Sequence, residues 1–358
     1  MVLAHPRKTS FDKSKRQWRN KFFQAMTLAE QLLSGNRLAL TRLLTQVEND
    51  TSEGRAALTE LFPHTGKAHL VGVTGAPGTG KSSLVNQLAL HFRKREEHRV
   101  AVVAVDPSSP FTGGAVLGDR VRMRDLAGDP GVFIRSMASR GSLGGLAQTT
   151  AGLVQVFDAA GFDMILIETV GAGQAEVEIA RLAHTTLVVE APGLGDDIQA
   201  IKAGILEIAD ILVVNKADRP GVENTLKALK NALELAHPMR HVFQHHGRLE
   251  VVEALDEPVY NSWIPPIQKT IAIDGTGISE LADEVVRHAE HLRESGDWSA
   301  RERSRLGSEL DALLQEVLVT RFREQIPEAQ YDAVLDQVFQ RELAPWEAVK
   351  VLLNGRAE

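Results

Sequence analysis

The feature that most constrains this chain is an eight-residue run that begins at Gly75 and has the spacing G-x-x-x-x-G-K-[ST]. Its residues are Gly75, Ala76, Pro77, Gly78, Thr79, Gly80, Lys81 and Ser82. The apolar run Leu70–Val73 precedes it, and a helical pattern from Leu84 to Phe92 follows. Glycines let a loop fold around phosphate oxygens with its N–H groups pointing inward, and the start of a helix favours anions. The run therefore predicts a phosphate-binding loop between a strand and a helix.

The end of this run carries the predicted chemistry. Lys81 is expected to reach the β- and γ-phosphates of a nucleotide, and the Ser82 hydroxyl to ligate Mg²⁺. Ser83 follows at the start of the helix. We therefore count all residues from Gly75 to Ser83 as candidate nucleotide-binding residues.

Short apolar runs alternate with helical segments through the middle of the chain. The runs are Leu70–Val73, Val100–Val105, Val132–Ile134, Met164–Ile167, Thr186–Val189, Ile211–Val214 and Thr270–Ile273. They are apolar on both faces, as the strands of a buried parallel sheet are, and the alternation implies right-handed crossovers. The prediction is an α/β fold, a doubly wound and mainly parallel P-loop NTPase domain with helical extensions at both ends. Ligands of such sheets bind at the carboxyl ends of the strands, where the motifs fall.

This pattern divides the chain into three zones. Residues 1–66 are a predicted N-terminal helical extension, in which Asn36 after Gly35 marks a break between two helices. Residues 67–293 are the predicted nucleotide-binding domain. Residues 294–358 lose the strand pattern and carry leucines at helical spacing. These last helices are expected to pack on their own chain or on a second copy.

The tetrapeptide Asn215-Lys216-Ala217-Asp218 follows the run Ile211–Val214 and resembles the base-reading motif of GTPases. Asp218 can accept hydrogen bonds from the ring N–H and the exocyclic amine of guanine, which adenine does not offer. An unpaired carboxylate would penalise ATP. Asn215 is expected to brace the neighbouring loops, and the stem of Lys216 to cover the base. The motif predicts GTP and GDP as ligands.

Acidic residues at two further strand ends suggest a magnesium site. Glu168 and Gly171 have the spacing of a γ-phosphate sensor, with the acid facing Mg²⁺ and the glycine N–H facing the phosphate. Asp106 and Asp119 either help to hold Mg²⁺ through water or cap turns in solvent. We take Lys81, Glu168 and Asp106 as the candidate catalytic residues. Because no glutamine directly follows Gly171, we expect slow intrinsic hydrolysis.

Composition narrows the remaining classes. The formal net charge is −7, which disfavours a nucleic-acid-binding protein, since phosphate binding relies on excess Lys and Arg. The chain has no cysteine, which excludes disulfides and Cys-ligated zinc. The N-terminus lacks the apolar core of a signal peptide, and no apolar run is long enough to span a bilayer. We expect a cytoplasmic protein without membrane or nucleic-acid partners.

These residues together resemble the MeaB/ArgK-type GTPases, which chaperone adenosylcobalamin-dependent acyl-CoA mutases. The resemblance covers roughly residues 25–352. The runs that carry it are Val73–Ser82, Val105–Pro110, Thr112–Gly114, Leu117–Asp119, Glu168–Gln174, Gly195–Gln199, Ile201–Lys202 and Asn215–Asp218.

The resemblance implies a homodimeric GTPase that gates cofactor delivery to a mutase, methylmalonyl-CoA mutase above all, and protects or reactivates it. It implies that the C-terminal helices form the dimer. The acids of the magnesium site would be Asp106, Asp119 and Glu168. The run Ala191–Lys202 would be a mobile loop that reports the nucleotide state to the mutase, with the candidate switch residues Asp196, Asp197 and Lys202.

Two segments depart from the family pattern. The guanine-contacting Ser-Ala of the family appears here as Ile271-Ala272, so only a backbone N–H, assigned to Ala272, is expected to help. The segment Pro238–Trp263 looks longer than the connection usual in the family, and no function carries over to it.

Two other functions remain open from the sequence. A metal-delivery GTPase would use His237, His241, His245 and His246, of which three share one face at helical spacing. Pro238 and Gly247 would interrupt that helix. A nucleotide-gated scaffold without turnover would be expected to have a defective phosphate-binding loop. A kinase-like regulator of a transport protein would need a phospho-acceptor site.

Overall fold

A sheet of seven parallel strands organises the chain. In the computed structural model, the described residues are 26–95, 97–107, 126, 128–139, 145–169, 180–193, 207–236, 243–245, 248–250 and 263–354. The strands are β1 (His69–Thr74), β2 (Val100–Pro107), β3 (Val132–Ser139), β4 (Met164–Glu168), β5 (Thr185–Glu190), β6 (Ile211–Asn215), β7 (Phe243–His245), β8 (Arg248–Glu250) and β9 (Ile267–Thr270). The strands of the main sheet lie in the order β3-β2-β4-β1-β5-β6-β9. The predicted doubly wound α/β fold is confirmed.

Ten helices are described around the sheet and in the C-terminal part. They are α1 (Leu28–Leu33), α2 (Arg37–Glu48), α3 (Ser52–Leu61), α4 (Lys81–Arg95), α5 (Gly145–Ala159), α6 (Val222–Ala236), α7 (Ile278–Ser295), α8 (Asp297–Gln325), α9 (Glu328–Phe339) and α10 (Pro345–Asn354). A single 3₁₀ turn, Phe62–His64, follows α3. No helix in the described part of the chain is long and apolar enough to cross a membrane.

The sheet is buried on both faces because alternate residues of its central strands enter different cores. On β4, Ile165 and Ile167 join a core built with α2, α3 and α5. Met164 and Leu166 join the opposite core, which contains residues of α4 and α7. This alternation explains why the strands read as continuous apolar runs in the sequence.

The N-terminal helices begin at capping residues that the sequence provides. Thr27 and Glu30 form a reciprocal capping box at α1. Asn36 accepts from two backbone N–H groups at the start of α2, where the break between helices was expected. Thr51 caps α3 in the same way. The apolar faces of these helices then pack on the sheet through α5.

Two strand boundaries were predicted wrongly, since β3 continues past Ile134 to Ser139 and the last strand of the sheet lies earlier than expected. We expected a strand at Thr270–Ile273, but β9 ends at Thr270. Its pairing with β6 ends where Asn215 meets Thr270, and Ile271 bridges Thr276 across a turn. Ile273 is consequently 87% exposed. The predicted strand extended into this turn because Ile271 and Ile273 are apolar, as the residues of a buried strand are.

The described residues form two compact units that divide between Ser304 and Arg305, within α8. The first unit holds the sheet and the N-terminal helices, and the second holds the rest of α8 with α9 and α10. The domain boundaries at residues 66/67 and 293/294 stay predictions. Strands β7 and β8 pair as an antiparallel hairpin apart from the main sheet.

Candidate nucleotide-binding site

The motif residues come together because their strands are parallel and adjacent. β1 lies between β4 and β5, and β6 follows β5. The register pairs Val73 of β1 with Glu168 of β4. The carboxyl ends of these strands therefore meet at one edge, directly beside the loop from Gly75 to Gly80. This is the edge at which ligands bind in open α/β sheets.

The loop is built from glycines that adopt left-handed backbone angles, with φ of 134° at Gly75, 82° at Gly78 and 97° at Gly80. A Cβ atom on Gly75 would lie 2.1 Å from the carbonyl oxygen of Val189 on β5. On Gly80 it would lie 2.4 Å from Asn215 Nδ2. Glycine is thus required at both positions by the conformation and by the close approach of neighbouring groups.

Lys81 begins α4 and is buried beneath the loop. Its ammonium donates to the carbonyl oxygens of Gly75 at 2.8 Å and Ala76 at 3.0 Å. The Lys81 ammonium is therefore held inside the curve of the loop, close to where the backbone N–H groups of the loop would bind phosphate.

Ser82 and Glu168 form the centre of the candidate magnesium site. The Ser82 hydroxyl donates to Glu168 Oε1 at 2.7 Å, and both side chains are buried. A hydroxyl and a carboxylate are the hard oxygen donors that Mg²⁺ takes, usually with phosphate oxygens and water. The pair fits this ion. Asp106 lies in the last part of β2, and its side chain is outside the description, as is the whole of Asp119.

Asn215 joins the base-reading motif to two loops. Its Nδ2 donates to the Thr79 carbonyl at 2.8 Å, and its Oδ1 accepts from the Thr270 hydroxyl and from the Ala272 N–H. That N–H, expected to contact guanine, in this structure positions Asn215. Lys216, with φ of 56°, donates through Nζ to the Gly78 carbonyl.

Of the remaining predicted site residues outside the phosphate-binding loop, the structure describes only Asp218. Asp218 lies at the exposed end of the motif. Outside the described residues lie Gly171, Asp196, Asp197 and Lys202. The sequence did not single out Thr270, because the predicted strand began at Thr270 whereas β9 ends there. It also missed the hydroxyl contact between Thr74 and Thr169 at 3.0 Å.

The helical spacing considered for the metal-binding histidines is contradicted by the local structure. Phe243–His245 is a β-strand of the hairpin rather than a helix. The other three histidines of that group lie outside the described residues. In the part of the chain that the structure describes, no group of three metal-ligating side chains is present.

Comparisons with known proteins agree with this site. A family model described as methylmalonyl-CoA mutase-associated GTPase MeaB matches residues 40–326. A putative GTPase of Pyrococcus abyssi is 42% identical over 327 residues, or 91% of this chain and 95% of that protein. GTPase ArgK of Escherichia coli is 37% identical over 277 residues, or 75% of this chain and 78% of that protein. The crystal structure of an LAO/AO transport system kinase matches with a TM-score of 0.63 at 26% identity, covering 91% of this chain and 95% of that one.

The resemblance inferred from the motifs is thereby confirmed, and so is the assignment as a GTPase. The family match covers the sheet, the phosphate-binding loop and the base-reading motif. Two relatives of similar length carry the name GTPase. The chain is a P-loop GTPase, and it belongs to the MeaB family of methylmalonyl-CoA mutase-associated GTPases.

Proposed function

We propose that this GTPase gates cofactor loading and protection of an adenosylcobalamin-dependent acyl-CoA mutase, with methylmalonyl-CoA mutase as its partner in the cytoplasm. The observation that carries the proposal is the family match over residues 40–326. The geometry supports it, because the phosphate-binding loop, the Ser82–Glu168 pair and Asn215 lie at one edge of the sheet. A partner that distinguishes the GTP state from the GDP state can then be controlled by hydrolysis.

In this proposal the phosphates lie in the loop from Gly75 to Ser83, and Lys81 turns from the loop carbonyls to the β- and γ-phosphates. Ser82 and Glu168 hold Mg²⁺, together with Asp106 and Asp119. Bound Mg²⁺ would neutralise charge on the β- and γ-phosphate oxygens. The Ser82–Glu168 contact supports this, since its two oxygens already face each other beside the loop.

The base lies against the loop after β6. Asp218 reads the guanine edge, and the stem of Lys216 covers the ring. Ala272 contributes its N–H only if Asn215 gives up that hydrogen bond. Gly171 faces the γ-phosphate. Without a glutamine next to Gly171, hydrolysis by the isolated protein is slow and rises when the mutase binds.

The segment Ala191–Lys202 is proposed to report the nucleotide state. It follows β5, and the β5 residue Val189 approaches Gly75 so closely that no Cβ fits between them. A shift of the phosphate-binding loop would thus displace the end of β5, from which this segment begins. Its residues Asp196, Asp197 and Lys202 would contact the partner. By linkage, the mutase must then change nucleotide affinity reciprocally.

Lys202→Ala tests this assignment. Intrinsic hydrolysis and nucleotide affinity should stay nearly unchanged, whereas mutase-stimulated hydrolysis should fall roughly tenfold if about 1.4 kcal/mol of coupling is lost. The measurement is steady-state phosphate release with increasing methylmalonyl-CoA mutase. Lys230→Ala, at an exposed position on α6, is the matched control. Identical curves for the parent and Lys202→Ala would remove Lys202 from the switch, and a parent that the mutase never stimulates would contradict the partner.

We also propose that the protein is a homodimer formed through its C-terminal helices. No residue of α8 is buried, and apolar side chains recur on it at helical spacing. The exposed ones are Leu310, Leu313, Leu314, Val317 and Leu318. A stripe of this kind is typical of a surface that packs against another helix.

A further inference from the structure

A buried pair of hydroxyl groups joins the two strands that carry the phosphate-binding loop and the candidate magnesium ligand. The Thr169 hydroxyl donates to Thr74 Oγ1 at 3.0 Å, and the two residues are 1% and 0% exposed. The Thr169 N–H also donates to the Val73 carbonyl at 3.1 Å. The contact therefore lies one residue beyond the register pair of Val73 with Glu168.

The position of this pair relates it to the site. Thr74 directly precedes Gly75, the first residue of the loop, and Thr169 directly follows Glu168. The chain continues from Thr74 through the loop to Ser82, and Glu168 is the last residue of β4. The Ser82 hydroxyl and Glu168 Oε1 lie 2.7 Å apart. The Thr74–Thr169 pair therefore adjoins both the phosphate-binding loop and Glu168, which would hold Mg²⁺.

A hydroxyl is needed on both strands for this geometry. Two oxygens in a hydrogen bond lie closer than two methyl groups, whose carbons pack at about 3.5–4.0 Å. Valine at one position would leave the other hydroxyl buried and unpaired, which destabilises the protein by about 1–3 kcal/mol. Valine at both positions removes the unpaired group and is nearly neutral for stability, but it widens the separation of the strand ends.

We propose that Thr74 and Thr169 are positioning residues that set the distance between the Glu168 carboxylate and the phosphate-binding loop. This inference rests on the proposed magnesium role of Glu168. It extends that role to two neighbouring residues whose hydroxyls bond to each other. Groups that orient a metal ligand from behind typically change metal affinity by about 10–100-fold when removed.

The experiment measures how Mg²⁺ slows the release of a fluorescent GDP analogue, together with thermal unfolding. Thr169→Val and the double variant Thr74→Val/Thr169→Val are each expected to need roughly tenfold more Mg²⁺ for half the effect. Thr169→Ser, which keeps the hydroxyl, should match the parent within about twofold. The melting temperature should fall in the single valine variant and recover in the double variant.

The double variant separates positioning from stability. If the pair only stabilises the fold, the Mg²⁺ response recovers together with the melting temperature, and the proposal is overturned. Thr169→Ser needing as much extra Mg²⁺ as Thr169→Val would also overturn it. Glu168→Gln is the reference for the magnesium role. If Glu168→Gln leaves the Mg²⁺ response unchanged, the proposed role of Glu168 fails. If Glu168→Gln weakens the response and the valine variants do not, only the positioning role fails.

Discussion

Asn215 shows how a single side chain can hold several loops in place. Its amide donates to the phosphate-binding loop at Thr79 and accepts from the turn after β9 through Thr270 and Ala272. The side chain is buried, so these hydrogen bonds replace all contact with water. Asp218, three residues further on, is by contrast exposed. The motif therefore divides into a buried residue that holds the loops and an exposed residue that we propose reads the base.

Asp218→Asn should change which base the protein prefers. In the proposed role of Asp218, its carboxylate accepts two hydrogen bonds from guanine, whereas an amide can instead donate to the additional carbonyl of xanthine. GTP affinity should fall by roughly 2–4 kcal/mol, as for a charged hydrogen-bond partner that is lost, and xanthosine triphosphate should bind better than it does to the parent. Calorimetric titration of both proteins with GTP, xanthosine triphosphate and ATP measures this. Equal affinity of the parent for ATP and GTP would contradict the assignment.

A network of polar side chains anchors α7 and the start of α8 at the opposite, amino-terminal edge of the sheet. Arg301 forms two hydrogen bonds to the Asp210 carboxylate, both at 2.8 Å. Burial would raise the pKa of Asp210, but the close contact with His288, whose Nε2 lies 3.3 Å from Oδ1, and the hydrogen bonds and charge of Arg301 lower the pKa to about 2. Asp210 thus stays ionised, and its negative charge holds the helix ends to the sheet.

His69 extends this network into the sheet. Its Nε2 lies 2.8 Å from the Thr185 hydroxyl, which in turn lies 2.9 Å from His288 Nδ1. Burial lowers the pKa of His69 well below its usual value, and the charges of His184, His288 and Arg293 lower it further. Only Asp210 acts in the other direction. His69 is therefore neutral in the folded protein over the physiological range of pH.

This lowered pKa predicts loss of stability in mild acid. Below the ordinary imidazole pKa of about 6.5, the unfolded chain binds a proton at His69 that the folded protein does not, so the free energy of unfolding falls as pH falls. Urea unfolding at several pH values measures the slope. His69→Gln should make the slope shallower, and His64→Gln, at an exposed position, is the control. An unchanged slope in His69→Gln would contradict the prediction.

At the scale of elements, the sequence predicted what depends on local pattern and missed what depends on long-range pairing. The runs at Val100–Val105 and Ile211–Val214 could be read as strands because both faces of each run enter apolar clusters. The insertion of β4 between β1 and β2 has no local signal, since it follows from how the chain crosses over. The pairing of His69 with Thr185 spans 116 positions and likewise leaves no periodic pattern.

At the scale of the whole molecule, the C-terminal unit has more exposed apolar surface than a helical unit needs for itself. Besides the stripe on α8, Phe339 on α9 is 82% exposed and Trp346 on α10 is 71% exposed. Contiguous apolar surface on a protein usually marks an interaction site. The first unit, by contrast, encloses three apolar clusters around the sheet. This difference is the reason to place self-association in the C-terminal unit.

If the proposed dimer forms through the stripe on α8, introducing charge there should separate it and leave the GTPase unit folded. In Leu314→Glu/Leu318→Glu, two carboxylates would be buried without partners in the interface, which association cannot tolerate. Light scattering after size-exclusion chromatography should give the dimer mass for the parent and the monomer mass for the variant. GDP affinity should be the same for both, because these leucines lie in the unit that lacks the nucleotide site. Ser308→Glu, exposed on the same helix outside the stripe, is the control and should stay dimeric. A monomeric parent, or a variant that stays dimeric, would show that the stripe has another role.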